Sequence, residues 1–228
     1  MDKEVMMELF EAMETRSSRR AFLPRPVEKT VLERLIAASN RSPSYQNTQP
    51  WELFVATGEK KDAVAARMRD SVVKGTPMEP HIPFARVLPK AHEARALSHR
   101  NRRFQALGID PEKDQERITD SYMRNFAFFG APCAIFVGMD KALSPWSIFD
   151  LGAFVHGFLL AAHAAGLGAV PQAMLTGYPA IVREELGIPE DVAIILAMSV
   201  GYPDLDALVN GYRSLRREPG EFVRWIGF

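Results

Sequence analysis

Three clusters of polar side chains in this sequence have the residue types of a binding site for a charged, planar ligand. Residues 16–20 hold three arginines and two serines, residues 42–49 hold hydroxyls and carboxamides, and residues 210–217 hold three more arginines. An arginine side chain presents a planar fork of donors that matches phosphate oxygens, and serine adds a neutral donor. The first and third clusters therefore predict that arginines from both ends of the chain converge on one phosphate. A solvated basic turn is the alternative for residues 16–20 taken alone.

The middle cluster lies in a loop that ends on Trp51. Pro43 and Pro50 each lack a backbone N–H and restrict the residue before them, so residues 42–51 cannot continue a helix. The loop presents hydroxyls and amides, and we expect the large ring of Trp51 to anchor the end of the loop by packing. We interpret this stretch as a platform for a planar polar ring.

Other catalytic motifs are missing or incomplete. No G-x-G-x-x-G run follows a strand, no Walker motif is present, and no two histidines have H-x-x-x-H spacing. A Rossmann nicotinamide site and a zinc site are therefore disfavoured. Residues 197–201 resemble the nucleophile elbow of a serine hydrolase around Ser199, but Tyr202 and Pro203 follow where a helix is required.

The elements that must position these clusters follow from hydrophobic spacing and from breaker residues. Helices are predicted at residues 3–15, 28–40, 59–73, 90–107, 110–126, 146–165 and 179–186, and strands at 52–57, 131–137, 169–175 and 192–200. The strands are apolar runs, which is typical of a sheet covered on both faces. Element order alone leaves both α/β and α+β open.

Composition excludes several classes of protein and of partner. Lys+Arg and Asp+Glu both number 28, so nothing favours a nucleic-acid or acidic-membrane partner. Cys133 is the single cysteine, so no intrachain disulfide can form, and the start of the chain does not resemble a signal peptide. We expect a cytoplasmic protein. Residues 151–175 contain no charged residue, and we expect a helix buried in a core or a subunit interface rather than a membrane span.

Five motifs together resemble the nitroreductase family of FMN flavoproteins. Residues 16–22 look like its R-x-S-x-R-x-F motif, and residues 42–51 look like its (A/S)-P-S-x-x-N-x-Q-P-W motif. Residues 165–172 resemble its A-x-G-L-G-x-x-P segment, and residues 186–190 and 200–203 resemble its L-G-I-P-E and x-G-Y-P segments. The matches keep their order and cover nearly the whole chain. The branch that they resemble most is that of the nitrobenzoate reductases.

This resemblance implies an α+β homodimer with two FMN sites at the subunit interface. It implies a single domain over residues 1–228, in which residues 75–125 form a variable helical lid. Residues 203–228 would form a C-terminal arm, domain-swapped so that it wraps the other subunit, which would explain its aromatic end.

Carried over residue by residue, the resemblance also implies the flavin-binding residues. The first cluster would contact the FMN phosphate, ribityl chain and ring, with Arg20 near flavin N1 and the C2 carbonyl. The loop would reach the flavin from the partner subunit, and residues 171–173 would lie along the ring, with a backbone N–H near Ala173 facing N5. The implied set is Arg16, Ser17, Ser18, Arg20, Pro43, Ser44, Tyr45, Asn47, Pro171, Gln172, Ala173, Arg213 and Arg217. The last two would close on the phosphate, with Arg216 as the alternative to Arg217; no metal is implied.

The implied reaction is a ping-pong transfer of hydride from NADPH or NADH through FMN to a nitroaromatic, a quinone or a related acceptor. No side-chain nucleophile is expected, because the chemistry belongs to the cofactor. The alternative is a flavin protein of the same fold with another activity: flavin destruction, reductive dehalogenation or flavin storage. The arginines of residues 90–107 could attract a carboxylated aromatic, or could form a solvated helix face.

Overall fold

The computed structural model describes residues 7–228. The helices are α1 (Leu9–Thr15), α2 (Lys29–Ser39), α3 (Gly58–Val73), α4 (Lys90–Ala106), α5 (Gln115–Met123), α6 (Trp146–Ala164), α7 (Pro179–Leu186) and α8 (Leu208–Gly211). The strands are β1 (Glu52–Thr57), β2 (Cys133–Asp140), β3 (Gly168–Gln172) and β4 (Val192–Gly201). Short 3₁₀ turns cover Tyr45–Asn47, Arg124–Gly130, Ala173–Thr176 and Pro219–Glu221. The predicted start of the first helix, residues 3–6, lies outside the described residues.

The four strands form one sheet in the order β1-β2-β4-β3, and every neighbouring pair is antiparallel. The predicted mixture of helices and strands is confirmed, and the antiparallel pairing identifies it as α+β. Helices connect successive strands here, as they also do in parallel sheets, so the distinction rests on the antiparallel pairing and not on element order.

Helices cover both faces of the sheet, as the apolar strands predicted. Alternate residues of β2 point to opposite faces. Ile135 and Val137 pack with Phe154 and Phe158 of α6 on one face, together with residues of α2. Phe136 packs on the other face in a cluster with residues of α3 and α7.

Helix α6 is the uncharged segment of the sequence. It is long and apolar enough to cross a membrane by length and composition, yet 44% of its most apolar window is buried inside the protein. Phe154 and Phe158 are fully buried against the sheet, and the Trp51 ring stacks on Phe154 with centroids 5.0 Å apart. The prediction is confirmed for the face of α6 that packs in the core, but Trp146 and Phe149 of the same helix are 67% and 71% exposed, so α6 is not buried on all sides within this chain.

Three predicted elements are shorter than their sequence patterns indicated. The first helix begins at Leu9, and the strand predicted at 169–175 ends at Gln172, where the 3₁₀ turn Ala173–Thr176 follows. The third is a helix. Residues 110–126 were expected to be continuous, but α5 begins at Gln115 and ends at Met123. The Asp114 carboxylate accepts a hydrogen bond from the Asp110 N–H at 2.8 Å, and Arg117 donates to the Gly108 carbonyl at 2.6 Å. These contacts hold residues 110–113 as a separate turn, so the Asp-Pro start signal belongs to that turn.

Candidate functional site

The segment that follows α1 lies along the end of the sheet. The Arg19 N–H donates to the Ala169 carbonyl of β3 at 3.3 Å, and the Leu23 N–H donates to the Tyr202 carbonyl just beyond β4 at 2.9 Å. Phe22 forms an isolated bridge with Pro203. The first arginine cluster is therefore fixed to the strand ends by its own backbone.

A glycine permits this close approach. A Cβ atom built on Gly168 would lie 2.8 Å from Cγ and 2.9 Å from Cβ of Arg19, and 3.1 Å from Cβ of Pro203. Real Cβ atoms do not approach other carbon atoms so closely, so residue 168 must lack a side chain for the segment to pass.

The variant Gly168→Ala is accordingly expected to lower the free energy of unfolding by about 1–3 kcal/mol, because overpacking forces the segment off the strand. Urea unfolding of the apoprotein measures this difference. Gly211→Ala is the matched control, since a Cβ atom there meets nothing within 4 Å. Equal unfolding free energies for the two variants would contradict the expected clash.

Asn210 joins the first and third clusters. Its side chain is buried, with 2% of its surface exposed. The Asn210 Oδ1 accepts the Arg20 N–H at 2.7 Å, and Nδ2 donates to the Ala21 carbonyl at 2.7 Å. The Asn210 carbonyl accepts hydrogen bonds from the guanidinium groups of Arg19 and Arg213, both at 2.8 Å. One asparagine thus holds the backbone of the first cluster and two of the arginines.

The two clusters enclose a cavity of about 640 Å³, here called the arginine cavity. Its lining is Met13, Glu14, Thr15, Arg16, Ser17, Ser18, Arg20, His99, Tyr212, Arg213, Ser214 and Arg216. The predicted convergence of arginines from both ends of the chain is thus present in the structure. Four of these side chains are arginines and one is a carboxylate, so the cavity has the charge of an anion site.

Burial makes these positive charges costly in the absence of an anion. Desolvation and, second, the charge of Arg103 lower the pKa of Arg20 to about 10. Desolvation and Arg216 lower the pKa of Arg16, and desolvation together with neighbouring arginines lowers the pKa of His99. Within residues 7–228 none of the four cavity arginines forms an ion pair with a carboxylate. A bound anion would relieve both the desolvation and the mutual repulsion.

The donor set also fits a phosphate and its sugar-like chain. The Ser17 hydroxyl is buried and has no hydrogen-bond partner within the described part of the chain. Buried polar atoms in native proteins nearly always have a partner, so an unpaired hydroxyl on a cavity wall indicates a missing acceptor. Ser17 and Ser18 line the same wall as Arg16 and Arg20.

Arg216 and Arg217 take different positions. Arg216 lines the arginine cavity, whereas the Arg217 guanidinium lies 4.9 Å from the ring centroid of Phe222 and is absent from the lining. Of the two predicted arm arginines, Arg213 therefore reaches the cavity and Arg217 does not. Adjacent residues in an extended segment point to opposite sides, and sequence alone could not select between them.

The β3 segment presents its backbone rather than a polar side chain. Gln172 is buried; its Nε2 donates to the Asn125 carbonyl at 3.2 Å, and its Oε1 accepts the Ser199 hydroxyl. Its amide is thus occupied in the core, while Ala173 is exposed and Pro171 is partly exposed. Ser199 is fully buried inside β4, so the serine-hydrolase alternative has no accessible nucleophile.

Hydrogen bonds hold the loop of residues 42–51, which does not line the arginine cavity of its own chain. The Asp150 carboxylate accepts the Tyr45 N–H at 3.1 Å, and the Ser44 hydroxyl accepts the Gln49 N–H at 3.0 Å. Gln46 and Asn47 have φ angles of 50° and 58°, in the left-handed region. None of the predicted ligand contacts Pro43, Ser44, Tyr45 and Asn47 lines the arginine cavity of the same chain.

Sequence reasoning missed two residues of this site and left the choice between Arg216 and Arg217 open. Asn210 lies inside the third cluster but was not assigned to the ligand, and His99 comes from α4. The only signal for Asn210 was its position inside that cluster. No sequence pattern identified His99.

Comparison with known proteins agrees with this geometry. The model of the Nitroreductase family matches residues 13–202. The chain is 31% identical to a 4-nitrobenzoate reductase of Pseudomonas putida, over 94% of this chain and 93% of that protein. It is 30% identical to a nitrobenzene nitroreductase of Ectopseudomonas oleovorans, over 92% and 93% of the two chains.

Solved structures show the same similarity. The FMN and NADPH-dependent nitroreductase NfnB from Sphigopyxis sp. strain HMH superposes with a TM-score of 0.92 at 30% identity, covering 97% of this chain and 100% of that chain. The FMN-dependent NfnB from Mycobacterium smegmatis, solved in complex with NADPH, gives 0.89 at 27% identity, covering 96% and 100%. The family match spans most of the chain and includes both the first cluster and the strand ends that hold it. This chain belongs to the nitroreductase family.

Proposed function

We propose that this protein is an FMN-dependent oxidoreductase that takes hydride from NADPH or NADH and reduces nitroaromatic compounds, quinones or related acceptors. The observation that carries the proposal is the arginine cavity of a nitroreductase-family chain, where Arg16 and Arg20 are desolvated and, within residues 7–228, none of the four lining arginines forms an ion pair with a carboxylate. The relatives named above supply the substrate class by analogy.

The residues of the cavity fit the parts of FMN. Arg16, Arg213 and Arg216 would hold the phosphate, and the Ser17 and Ser18 hydroxyls would donate to the phosphate or the ribityl chain. Arg20, the most desolvated of these arginines, would lie at the ring. When bound, FMN supplies the hydride chemistry, which the side chains of this chain do not provide. The backbone at Pro171 to Ala173 would lie along the ring, since the Gln172 side chain is engaged elsewhere.

Arg20 would have the main electrostatic role. A fixed positive charge in a site shielded from water favours the negative charge that the ring acquires on reduction. The backbone N–H of Arg20 donates to the Asn210 side chain. The charge of the nearby Arg103 adds to the positive potential at Arg20 and contributes to its lowered pKa. Asn210 therefore fixes the backbone from which this guanidinium extends.

A second subunit would complete the site. The loop of residues 43–47 does not line its own arginine cavity, and the family resemblance implies that it reaches the flavin of the partner. In support, the arm ends on large exposed apolar side chains: Trp225 is 71% exposed and Phe228 is 100% exposed. Strand β1 lies at the end of the sheet, and within residues 7–228 no strand pairs with its outer edge. We propose a homodimer in which residues 203–228 wrap the other subunit.

The chain would act as a single domain over residues 1–228, with residues 75–125 as its lid. Helices α4 and α5 lie in this segment, and His99 of α4 reaches the lining of the arginine cavity. We place the protein in the cytoplasm, because its nucleotide donor is cytoplasmic and its one thiol, Cys133, is buried and unpaired.

The variant Asn47→Gly tests the role of the loop. Glycine removes the amide but tolerates the left-handed backbone at this residue, so the loop conformation survives. We expect FMN affinity to fall by about tenfold while the protein stays dimeric. Gln46→Gly is the matched control, since Gln46 has a similar φ and is outside the implied ligand set. Fluorescence titration and gel filtration measure the two properties, and parental FMN affinity in Asn47→Gly would make the loop purely structural.

The function itself is tested with the purified protein under anaerobic conditions. We expect the protein to carry or take up FMN, NADPH or NADH to bleach the flavin, and a nitroaromatic acid to restore the colour. A protein that remains colourless after reconstitution with FMN refutes the proposal. A flavin that neither donor bleaches would indicate the alternative, a flavin-binding protein without this reaction.

A further inference from the structure

A second cavity of about 590 Å³ lies between α4 and the C-terminal arm, here called the arm cavity. Ala94, Arg95, Ser98, His99 and Arg102 of α4 form one wall, and Tyr212, Ser214, Leu215, Arg216, Arg217 and Glu221 of the arm form the other. His99, Tyr212, Ser214 and Arg216 line the arginine cavity as well. The two cavities are therefore neighbours with a common wall.

The arm cavity concentrates positive charge from two separate elements. Arg95 and Arg102 come from α4, and Arg216 and Arg217 come from the arm. Within residues 7–228 none of these four guanidinium groups forms an ion pair. The single carboxylate of the lining, Glu221, accepts the backbone N–H of Glu218 at 2.8 Å. If the arginines of α4 only formed a solvated helix face, the arm would have no reason to place two more arginines opposite them. The arrangement therefore favours a binding site for an anion.

Specific contacts hold the two walls in this arrangement. The Tyr212 hydroxyl lies 3.0 Å from His99 Nδ1, and the two rings lie with centroids 5.4 Å apart. Arg216 donates to the Ser214 hydroxyl at 2.7 Å. The Tyr212–His99 contact thus joins the two walls, so that four exposed arginines surround one cavity and a bound anion would meet positive charge from both elements.

We propose that the arm cavity binds the 2′-phosphate of NADPH and makes the enzyme prefer NADPH to NADH. This inference rests on the proposed function, because it assigns the donor of that reaction. NADPH and NADH differ only in this phosphate monoester, whose oxygens match the arginine fork. The wall shared with the arginine cavity lets one end of the donor lie near FMN while the other end lies among these arginines.

Arg95 and Arg102 allow the proposed site of the 2′-phosphate to be tested separately from the site of the FMN phosphate. Arg95 and Arg102 line only the arm cavity, whereas Arg216 lines both cavities and Arg16 and Arg213 line only the arginine cavity. A change at Arg95 and Arg102 therefore removes charge from the donor site and leaves the side chains proposed for FMN in place.

The test uses the double variant Arg95→Gln/Arg102→Gln of the FMN-loaded protein. We expect kcat/KM for NADPH to fall at least tenfold, and kcat/KM for NADH to change less than about twofold, because only NADPH loses charge-assisted hydrogen bonds. By calorimetry, 2′,5′-ADP should bind the parent and lose at least tenfold in affinity in the variant. The affinity for 5′-AMP should stay the same. Arg100→Gln is the control, since Arg100 is on α4 and lines neither cavity.

Three results would overturn the inference. NADPH and NADH could lose efficiency equally, which would place a phosphate common to both donors in the cavity. The variant could lose FMN itself, which would make this the flavin phosphate site. The parent could bind 2′,5′-ADP no better than 5′-AMP. Failure of the proposed function is recognised separately, since a protein that never takes up FMN can still be titrated with 2′,5′-ADP.

Discussion

Replacing Asn210 with alanine is expected to lower the free energy of unfolding by about 3 kcal/mol and to weaken FMN binding by at least tenfold. The change leaves the part-buried N–H of Arg20 without its partner. It also removes one of the two hydrogen bonds to the buried Ala21 carbonyl, which keeps the one from the Asp204 N–H at 3.1 Å. It also frees the carbonyl of Asp204, which accepts the other Nδ2 hydrogen bond at 2.7 Å. The first cluster would then lose its fixed position relative to the arm, and the arginine cavity would lose its shape.

Two measurements separate these effects. Urea unfolding of the apoprotein gives the stability loss, and quenching of flavin fluorescence gives the affinity at a temperature where the variant is folded. Asn101→Ala is the matched control, because Asn101 is exposed on α4 and lines neither cavity. If Asn210→Ala matched this control in both measurements, Asn210 would not position the site.

Replacing Arg20 with glutamine is expected to slow anaerobic reduction of the bound flavin by NADPH about 10²- to 10³-fold. The guanidinium at position 20 is the most desolvated charge of the cavity, and its pKa of about 10 leaves it protonated at neutral pH. Its removal should also lower the midpoint potential of the flavin, since the reduced ring loses a stabilising positive charge.

Stopped-flow reduction and a spectroelectrochemical titration measure the rate and the potential at saturating FMN. Arg20→Lys should recover most of both properties, because it retains the charge. Arg25→Gln provides the control: Arg25 lies over the Tyr202 ring at 3.9 Å and lines neither cavity. A parental potential in Arg20→Gln would show that Arg20 binds the ligand without tuning it.

Local chemistry in the sequence was sufficient to predict that basic residues from both ends of the chain meet. Residues 16–20 hold three arginines and two serines, the residue types of an anion site, and the third cluster holds three more arginines. Their meeting in one cavity confirms the predicted convergence, across a separation of about 190 residues that Asn210 bridges directly. Apolar strands likewise predicted a sheet covered on both faces, because a strand without polar positions cannot face water.

The sequence alone did not predict the directions in which individual side chains point. Gln172 looked available for a ligand, but the register of β3 with β4 points its amide into the core toward Ser199. Arg216 and Arg217 are chemically identical neighbours, and only the path of the arm places one in the arginine cavity and the other over Phe222. Similarly, Asp110 carries a helix-start signal that the contacts of Arg117 and Asp114 assign to a separate turn.

The sequence by itself therefore determined the elements, the two-faced sheet, the basic clusters and the family resemblance, since these depend on residue type and on spacing along the chain. The tertiary structure decided which arginines line the same cavity and which polar side chains form hydrogen bonds inside the core. It also decided that α4 and the arm bring four arginines together beside the site. Those outcomes depend on strand register and on contacts such as Asn210 to Arg20 and His99 to Tyr212. Such contacts join residues far apart in the chain, and no local pattern encodes them.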